Sequence, residues 1–310
     1  MGLGNGLYRS LLLGLAGNSA AEALALRYGM RLGASRFVAG TTLGEALAAV
    51  KALNGKGIAV TLDHLGEGIR HLDEADGYMG AYLSLLQAMN REAVNGNVSL
   101  KPTQMGLALD PVSALDRIRA IVREAELHSL FVRLDMENSP YTTATIELVR
   151  QLHREGFSRV GTVIQAYLYR SAVDVKRLTV ERINLRLVKG AYKESSSIAF
   201  AKRDDVDSNF KRLIKIRLDS GVYTGIATHD ETIIDWTRSY AHRRSIPRSA
   251  YEFQMLYGIR TPLQESLARE GYTVRCYVPY GERWYPYFVR RLAERPANAA
   301  FVLRNMGRRE

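Results

Sequence analysis

The clearest chemical pattern in this 310-residue chain lies near its end. Tyr287, Arg290, Arg291 and Glu294 stand at i, i+3, i+4 and i+7. They fall between Pro286, which suits a first helical turn, and Pro296, which stops a helix. That spacing puts all four on one helical face. Two neighbouring guanidinium groups can clamp a carboxylate or phosphate bidentately, as lysine cannot, while Tyr287 walls an apolar part. The same spacing equally suits a solvated basic face carrying an Arg290–Glu294 pair worth about 0.3–0.5 kcal/mol. Further polar groups follow short apolar runs: Asp63, Lys101, Asp135, Gln165, Arg186 with Lys189 and Tyr192, His229, Gln254, and Tyr277.

Those apolar runs supply the frame. They occupy 58–62, 98–101, 130–134, 160–165, 183–188, 223–227, 251–254 and 274–278, each rich in Val, Ile, Phe, Tyr or Thr and bounded by turn residues. Helical spacing fills the gaps. In 142–153, Ile146, Val149 and Leu152 share a face, and in 209–218 so do Phe210, Leu213, Ile214 and Arg217. Eight strands alternating with helices over about 250 residues predict an α/β fold of the (β/α)8 TIM-barrel type. A doubly wound sheet would show a glycine-rich fingerprint after its first strand, where this chain reads Leu62-Asp63-His64-Leu65-Gly66-Glu67. Residues 1–55 read as an N-terminal helical arm, with Leu43, Leu47 and Val50 on one face. Residues 56–310 then form the barrel, with the last helix over its mouth. In such a barrel, chemistry sits at the carboxyl ends of the strands, where the polar groups above converge.

Composition narrows the classes. With 46% hydrophobic and 24% charged residues, the chain is neither disordered nor fibrous. A lone cysteine, Cys276, excludes an intramolecular disulfide and any multi-cysteine metal site, and reads as a core thiol. The six histidines form no H-x-H or H-E-x-x-H pair, which argues against a metal hydrolase. The net charge of +11 favours an anionic partner: nucleic acid, a membrane surface or a small acid. Eight of those charges fall within 238–310, which holds 14 Arg, no Lys and 6 Glu. No RNA-recognition motif or basic-aromatic stripe supports nucleic acid, so that class rests on charge alone. Near the start, Arg9, the apolar run 11–17 and Ala21-Glu22-Ala23 fit either an amphipathic helix or a short signal peptide.

Six ordered blocks resemble a known family. Arg186-Leu-Val-Lys-Gly-Ala-Tyr192, Ala227-Thr-His229, Tyr251-Glu-Phe-Gln-Met-Leu-Tyr-Gly258 and Tyr285-Pro-Tyr-Phe-Val-Arg-Arg-Leu-Ala-Glu294 look like signature segments of proline dehydrogenases. Leu134-Asp-Met-Glu137 and Val98-Ser-Leu-Lys101 fit as well. The likeness spans about residues 30–305, and the length matches small monofunctional bacterial members rather than long bifunctional fusions. One departure is Pro102-Thr103 after Lys101, where many relatives carry Leu-Ser or Leu-Thr.

The resemblance implies an FAD-dependent barrel that oxidises L-proline to Δ1-pyrroline-5-carboxylate, the first step of proline degradation to glutamate. Electrons pass to a membrane quinone. It implies a cytoplasmic location, peripheral at the membrane's cytoplasmic face, and no nucleic-acid partner. Arg290 and Arg291 would clamp the proline carboxylate, with Lys101 as a third positive group. Tyr192, Leu256, Tyr277 and Tyr287 would enclose the ring, and the tyrosine at 277 argues for proline over hydroxyproline. Asp135 would sit beside Lys101, and Glu294 would pair with Arg290 as part of a gate. Arg186 would reach flavin N5, while Gln165, Val188, Lys189, Gly190, Thr228, His229 and Gln254 would hold the flavin ring, ribityl chain and phosphates. Two other classes stand beside it: a barrel lyase or aldolase with a Schiff base on Lys101 or Lys189, and a basic nucleic-acid binder.

Overall fold

The computed structural model describes residues 19–66 and 68–294. Eight strands lie where the apolar runs place them: β1 (Ala59–His64), β2 (Gly96–Leu100), β3 (Val132–Leu134), β4 (Val160–Gln165), β5 (Asn184–Val188), β6 (Thr224–Ala227), β7 (Tyr251–Leu256) and β8 (Val274–Tyr280). They pair in sequence order into a closed barrel. All pairs are parallel, and β8 returns to β1 in the register Ala59↔Arg275 through His64↔Tyr280. The expected (β/α)8 architecture is therefore the fold.

The helices are α1 (Ser19–Leu32), α2 (Leu43–Asn54), α3 (Leu72–Arg91), α4 (Pro111–Leu127), α5 (Thr142–Arg154), α6 (Ser171–Val180), α7 (Arg203–Asp219), α8 (Glu231–Arg243), α9 (Thr261–Arg269) and α10 (Tyr285–Glu294). Local sequence starts them. Thr42 and Glu45 form a capping box for α2, and Asp110 caps α4 ahead of Pro111. The helices between strands then bury one stripe on the barrel. Ile146, Val149 and Leu152 of α5 are buried, as are Phe210, Leu213 and Ile214 of α7. No helix among the described residues is long and apolar enough to cross a membrane.

Two of the hydrophobic cores among the described residues bear on the site. The large one fills the shell between strands and helices, and includes Ala46 and Val50 of α2. A smaller one gathers Ala34, Phe37, Val38 and Leu65 with Trp284, Tyr285, Tyr287, Phe288 and Val289. The N-terminal region thus divides: α2 covers the barrel beside β1 and β8, while residues 34–38 clasp α10. Phe37 and Phe288 meet with ring centroids 6.1 Å apart. The link between them follows the end of β8, where Ala39 N–H donates to the Pro279 carbonyl and Gly281 N–H donates to the Gly40 carbonyl. This clasp holds α10 at the barrel mouth.

Candidate active site

The barrel interior is polar at heights where many such barrels carry branched apolar side chains. Strand alternation aims every second residue inward, so β7 offers Glu252 and Gln254, and β8 offers Arg275 and Tyr277. Nearest the amino ends, Arg275 Nε donates to both oxygens of Glu252, at 2.8 and 3.0 Å, and Tyr223 Oη donates to the same carboxylate at 2.9 Å. Burial opposes ionisation of Glu252. The Arg275 charge and the donors around the carboxylate outweigh that and hold its pKa below the ordinary value.

Arg186 occupies the next height, 5% exposed. Its Nε donates to Gln254 Oε1 at 2.5 Å, one Nη to Asp135 Oδ1 at 2.7 Å and the other to Ser99 Oγ at 3.0 Å. All three branches of the guanidinium are thereby fixed. Above it, Lys101 Nζ donates to Asp63 Oδ2 at 3.0 Å. The Tyr277 hydroxyl lies 2.7 Å from Asp63 Oδ2 and 2.9 Å from Asp135 Oδ2, linking the two carboxylates. Burial raises the Asp135 pKa, with Arg186 opposing, and pushes the Tyr277 phenol well above its ordinary value. The family resemblance set Asp135 beside Lys101, and both line the same cavity; Lys101 donates to Asp63, while Asp135 accepts from Arg186 and Tyr277.

The rim comes from the loops after β5 and β6. Lys189 Nζ meets Asp207 Oδ1 at 2.5 Å and Asp230 Oδ2 at 2.9 Å, with Arg203 3.6 Å from Asp230. His229 Nε2 accepts from Leu256 N–H at 2.9 Å, which puts a neutral ring's proton on Nδ1. Gln165 Nε2 donates to the Glu137 carbonyl at 2.8 Å, while the Glu137 carboxylate accepts from Thr103 N–H and Oγ. At Gly190 the backbone φ is 118°, and a Cβ would stand 2.3 Å from the Tyr167 ring, so glycine is required.

These groups surround one cavity of about 460 Å³, within the range of small-molecule sites. It is lined by Lys101, Asp135, Gln165, Arg186, Val188, Lys189, Gly190 and Tyr192 from the first five strand ends. The remaining strand ends add Thr228, His229, Gln254, Leu256 and Tyr277, and α10 adds Tyr287, Arg290 and Arg291. The fold thus gathers every site position expected from sequence except Glu294, whose side chain lies outside the described residues. Charged lining or rim groups given no role from sequence include Asp63, Arg203, Asp207 and Asp230. Their signal was positional, since Arg203 opens α7 and Asp230 caps α8. Both lysines considered for a Schiff base are held in ion pairs, Lys101 with Asp63 and Lys189 with Asp207 and Asp230.

The pattern of the proline dehydrogenase family matches residues 46–304. A Bacillus subtilis protein named proline dehydrogenase 1 is 46% identical over 300 residues, covering 97% of this chain and 99% of its own. The chain belongs to the proline dehydrogenase family. A Deinococcus radiodurans family member, named proline dehydrogenase, is 43% identical over 304 residues, covering 97% of this chain and 98% of its own. Among solved structures, proline utilization A from Bdellovibrio bacteriovorus, inactivated by N-propargylglycine, superposes with a TM-score of 0.81 at 27% identity. That match covers 92% of this chain and 36% of the larger protein. The family fold and the barrel seen here therefore agree in both sequence and shape.

Proposed function

We propose that this chain oxidises L-proline to Δ1-pyrroline-5-carboxylate, using FAD and passing electrons to a quinone. One observation carries the reading: the Arg290–Arg291 pair on α10 shares a cavity with the triply fixed Arg186 and with Tyr277 and Tyr287. Proline asks for that combination, an anchor for its carboxylate and walls for its ring.

The donor set fits FAD. Lys189 and Arg203 stand where α7 and α8 begin, a setting that favours a diphosphate. A diphosphate would compete there with Asp207 and Asp230. Gln165, Thr228, His229 and Gln254 supply the mixed donors and acceptors a flavin ring and ribityl chain need, with Val188 and Gly190 as thin wall. When bound, FAD supplies a hydride acceptor that no amino-acid side chain offers.

The chain's own residues bind and orient. Arg290, Arg291 and Lys101 anchor the carboxylate, and Tyr192, Leu256, Tyr277 and Tyr287 enclose the ring, so C5 takes one position. The ring nitrogen must lose a proton before C5 gives up a hydride and leaves the protonated imine. The cations around it favour the neutral amine. Asp63 and Asp135 oppose that effect weakly, because each is already tied to a cation. Glu294 as a gate partner of Arg290, and the arginines at 304, 308 and 309 as contacts to an anionic membrane, lie outside the described side chains. They enter the reading through the family resemblance and the charge.

The test is an absorbance scan of the purified protein, followed by steady-state reduction of a soluble quinone analogue with proline, hydroxyproline and pipecolate. Flavin bands and turnover fastest with proline are expected. A colourless protein inert toward proline overturns the reading.

A further inference from the structure

Glu252 is buried, 1% exposed, and does not line the cavity. It nevertheless joins directly to the group that does. Gln254 Nε2 donates to Glu252 Oε1 at 2.5 Å, and Gln254 Oε1 accepts from Arg186 Nε at 2.5 Å. A carboxylate only accepts hydrogen bonds, so Glu252 admits the amide in one orientation, with NH2 toward itself and the carbonyl toward Arg186. The opposite orientation would set NH2 against the guanidinium N–H. Arg275 and Tyr223 hold Glu252 from the other side.

Room for this chain is left by Gly225 on β6, which pairs with Arg186 on one side and Glu252 on the other. A Cβ at 225 would stand 2.4 Å from Gln254 Nε2 and 3.0 Å from its Cδ. An ionised group inside a barrel is costly to desolvate, and a salt bridge to Arg275 alone would not require a link to the cavity.

We infer that Glu252 is a positioning residue that orients the Gln254 amide and, through it, fixes the Arg186 guanidinium on the cofactor side of the site. The inference rests on the assignment of Arg186 under the proposed function. Outer partners of this kind typically change activity by about 10–100-fold when altered.

The experiment uses the flavin-loaded full chain and two variants, Glu252→Gln and Gly225→Ala. The first removes the charge. The second displaces the amide while every charge stays. Both should lower kcat about tenfold with KM for proline within about twofold, because the carboxylate anchor on α10 is untouched. Both should also shift the equilibrium between bound flavin and a redox dye during photoreduction, a measurement that needs no proline. If Glu252→Gln fails to fold, Gly225→Ala decides alone. Folded, flavin-loaded variants with wild-type kcat and wild-type dye equilibrium overturn the inference, even where Tm has fallen. A wild-type protein that binds no flavin, or that proline does not reduce, instead overturns the functional reading.

Discussion

Arg186 and Arg133 are both buried guanidinium groups of one barrel, 5% and 2% exposed, yet their surroundings differ in kind. Arg186, toward the mouth, meets Asp135 and touches the cavity. Arg133, toward the strand amino ends, donates to the Thr162 and Asn184 carbonyls and to Asn184 Oδ1, and lies over the Phe131 ring. Among the described residues no carboxylate pairs with it. Burial, reinforced by Arg186, pulls its pKa down to about 9. Arg217 is the same case, donating to Thr179, Ile183, Tyr223 and Thr224, and burial pulls it down to about 10. A cation can thus be buried either by carbonyls, which stitch elements together, or by a carboxylate beside a cavity, where charge serves a ligand. The residue type alone does not say which.

The difference can be broken most sharply at the mouth. Arg291→Met should raise KM for proline about 100-fold, as expected for losing one partner of a buried charge contact. Flavin content and Tm should stay near wild type, and unchanged proline kinetics would sink the anchor assignment. Arg217→Met should behave oppositely. It leaves carbonyl and hydroxyl partners unsatisfied, so Tm in calorimetry should fall by about 5–10 °C while kcat and KM hold.

A smaller effect separates the two carboxylates by sign. The Asp135 pKa is raised, so its contribution to stability is present below its ordinary value of 3.8 and is lost as pH rises through the folded pKa. The Glu252 pKa is lowered, so its contribution is present above its ordinary value of 4.5 and is lost as pH falls through the folded pKa. Relative to wild type, Tm of Asp135→Asn should therefore climb as pH rises above 3.8, and that of Glu252→Gln should drop as pH rises toward 4.5 and stay level beyond it. Parallel curves would contradict the assigned directions. The smallest effect is at Cys276, 1% exposed, with a thiol that burial pushes up to about 12. Iodoacetamide at pH 8 should leave the native protein unlabelled and its activity unchanged, as mass spectrometry can read.

The strands were legible because each is a β-branched or aromatic run closed by Gly, Pro, Asn or Asp. Only their ends moved: β1 runs on to His64 and β3 shrinks to three residues. The cavity lining was legible through the rule that places chemistry at strand ends, reinforced by the family resemblance. Glu252, Gln254 and Arg275 were visible as polar residues in strands, but their hydrogen-bond chain depends on barrel closure, which brings Arg186 to Gln254 across 68 residues of sequence. Asp63 was visible too, yet sequence could not say that its carboxylate would accept from both Lys101 and Tyr277. The split of the N-terminal arm was hidden for a similar reason. Its contacts with α10 join residues some 250 positions apart, and no local period records them.

That clasp has a consequence for how the molecule is made. Phe37, Val38 and Leu65 leave the ribosome early, but the small core they belong to has no other half until Trp284 to Val289 emerge. Barrel strands can pair as they are synthesised, whereas this core must wait for nearly the whole chain, the regime in which distant contacts form slowly. The two arginines of α10 are seated by the same event. Closure of the sheet waits as long, because β1 pairs with β8, so the barrel and its anion-binding groups are completed together once the end of the chain is free.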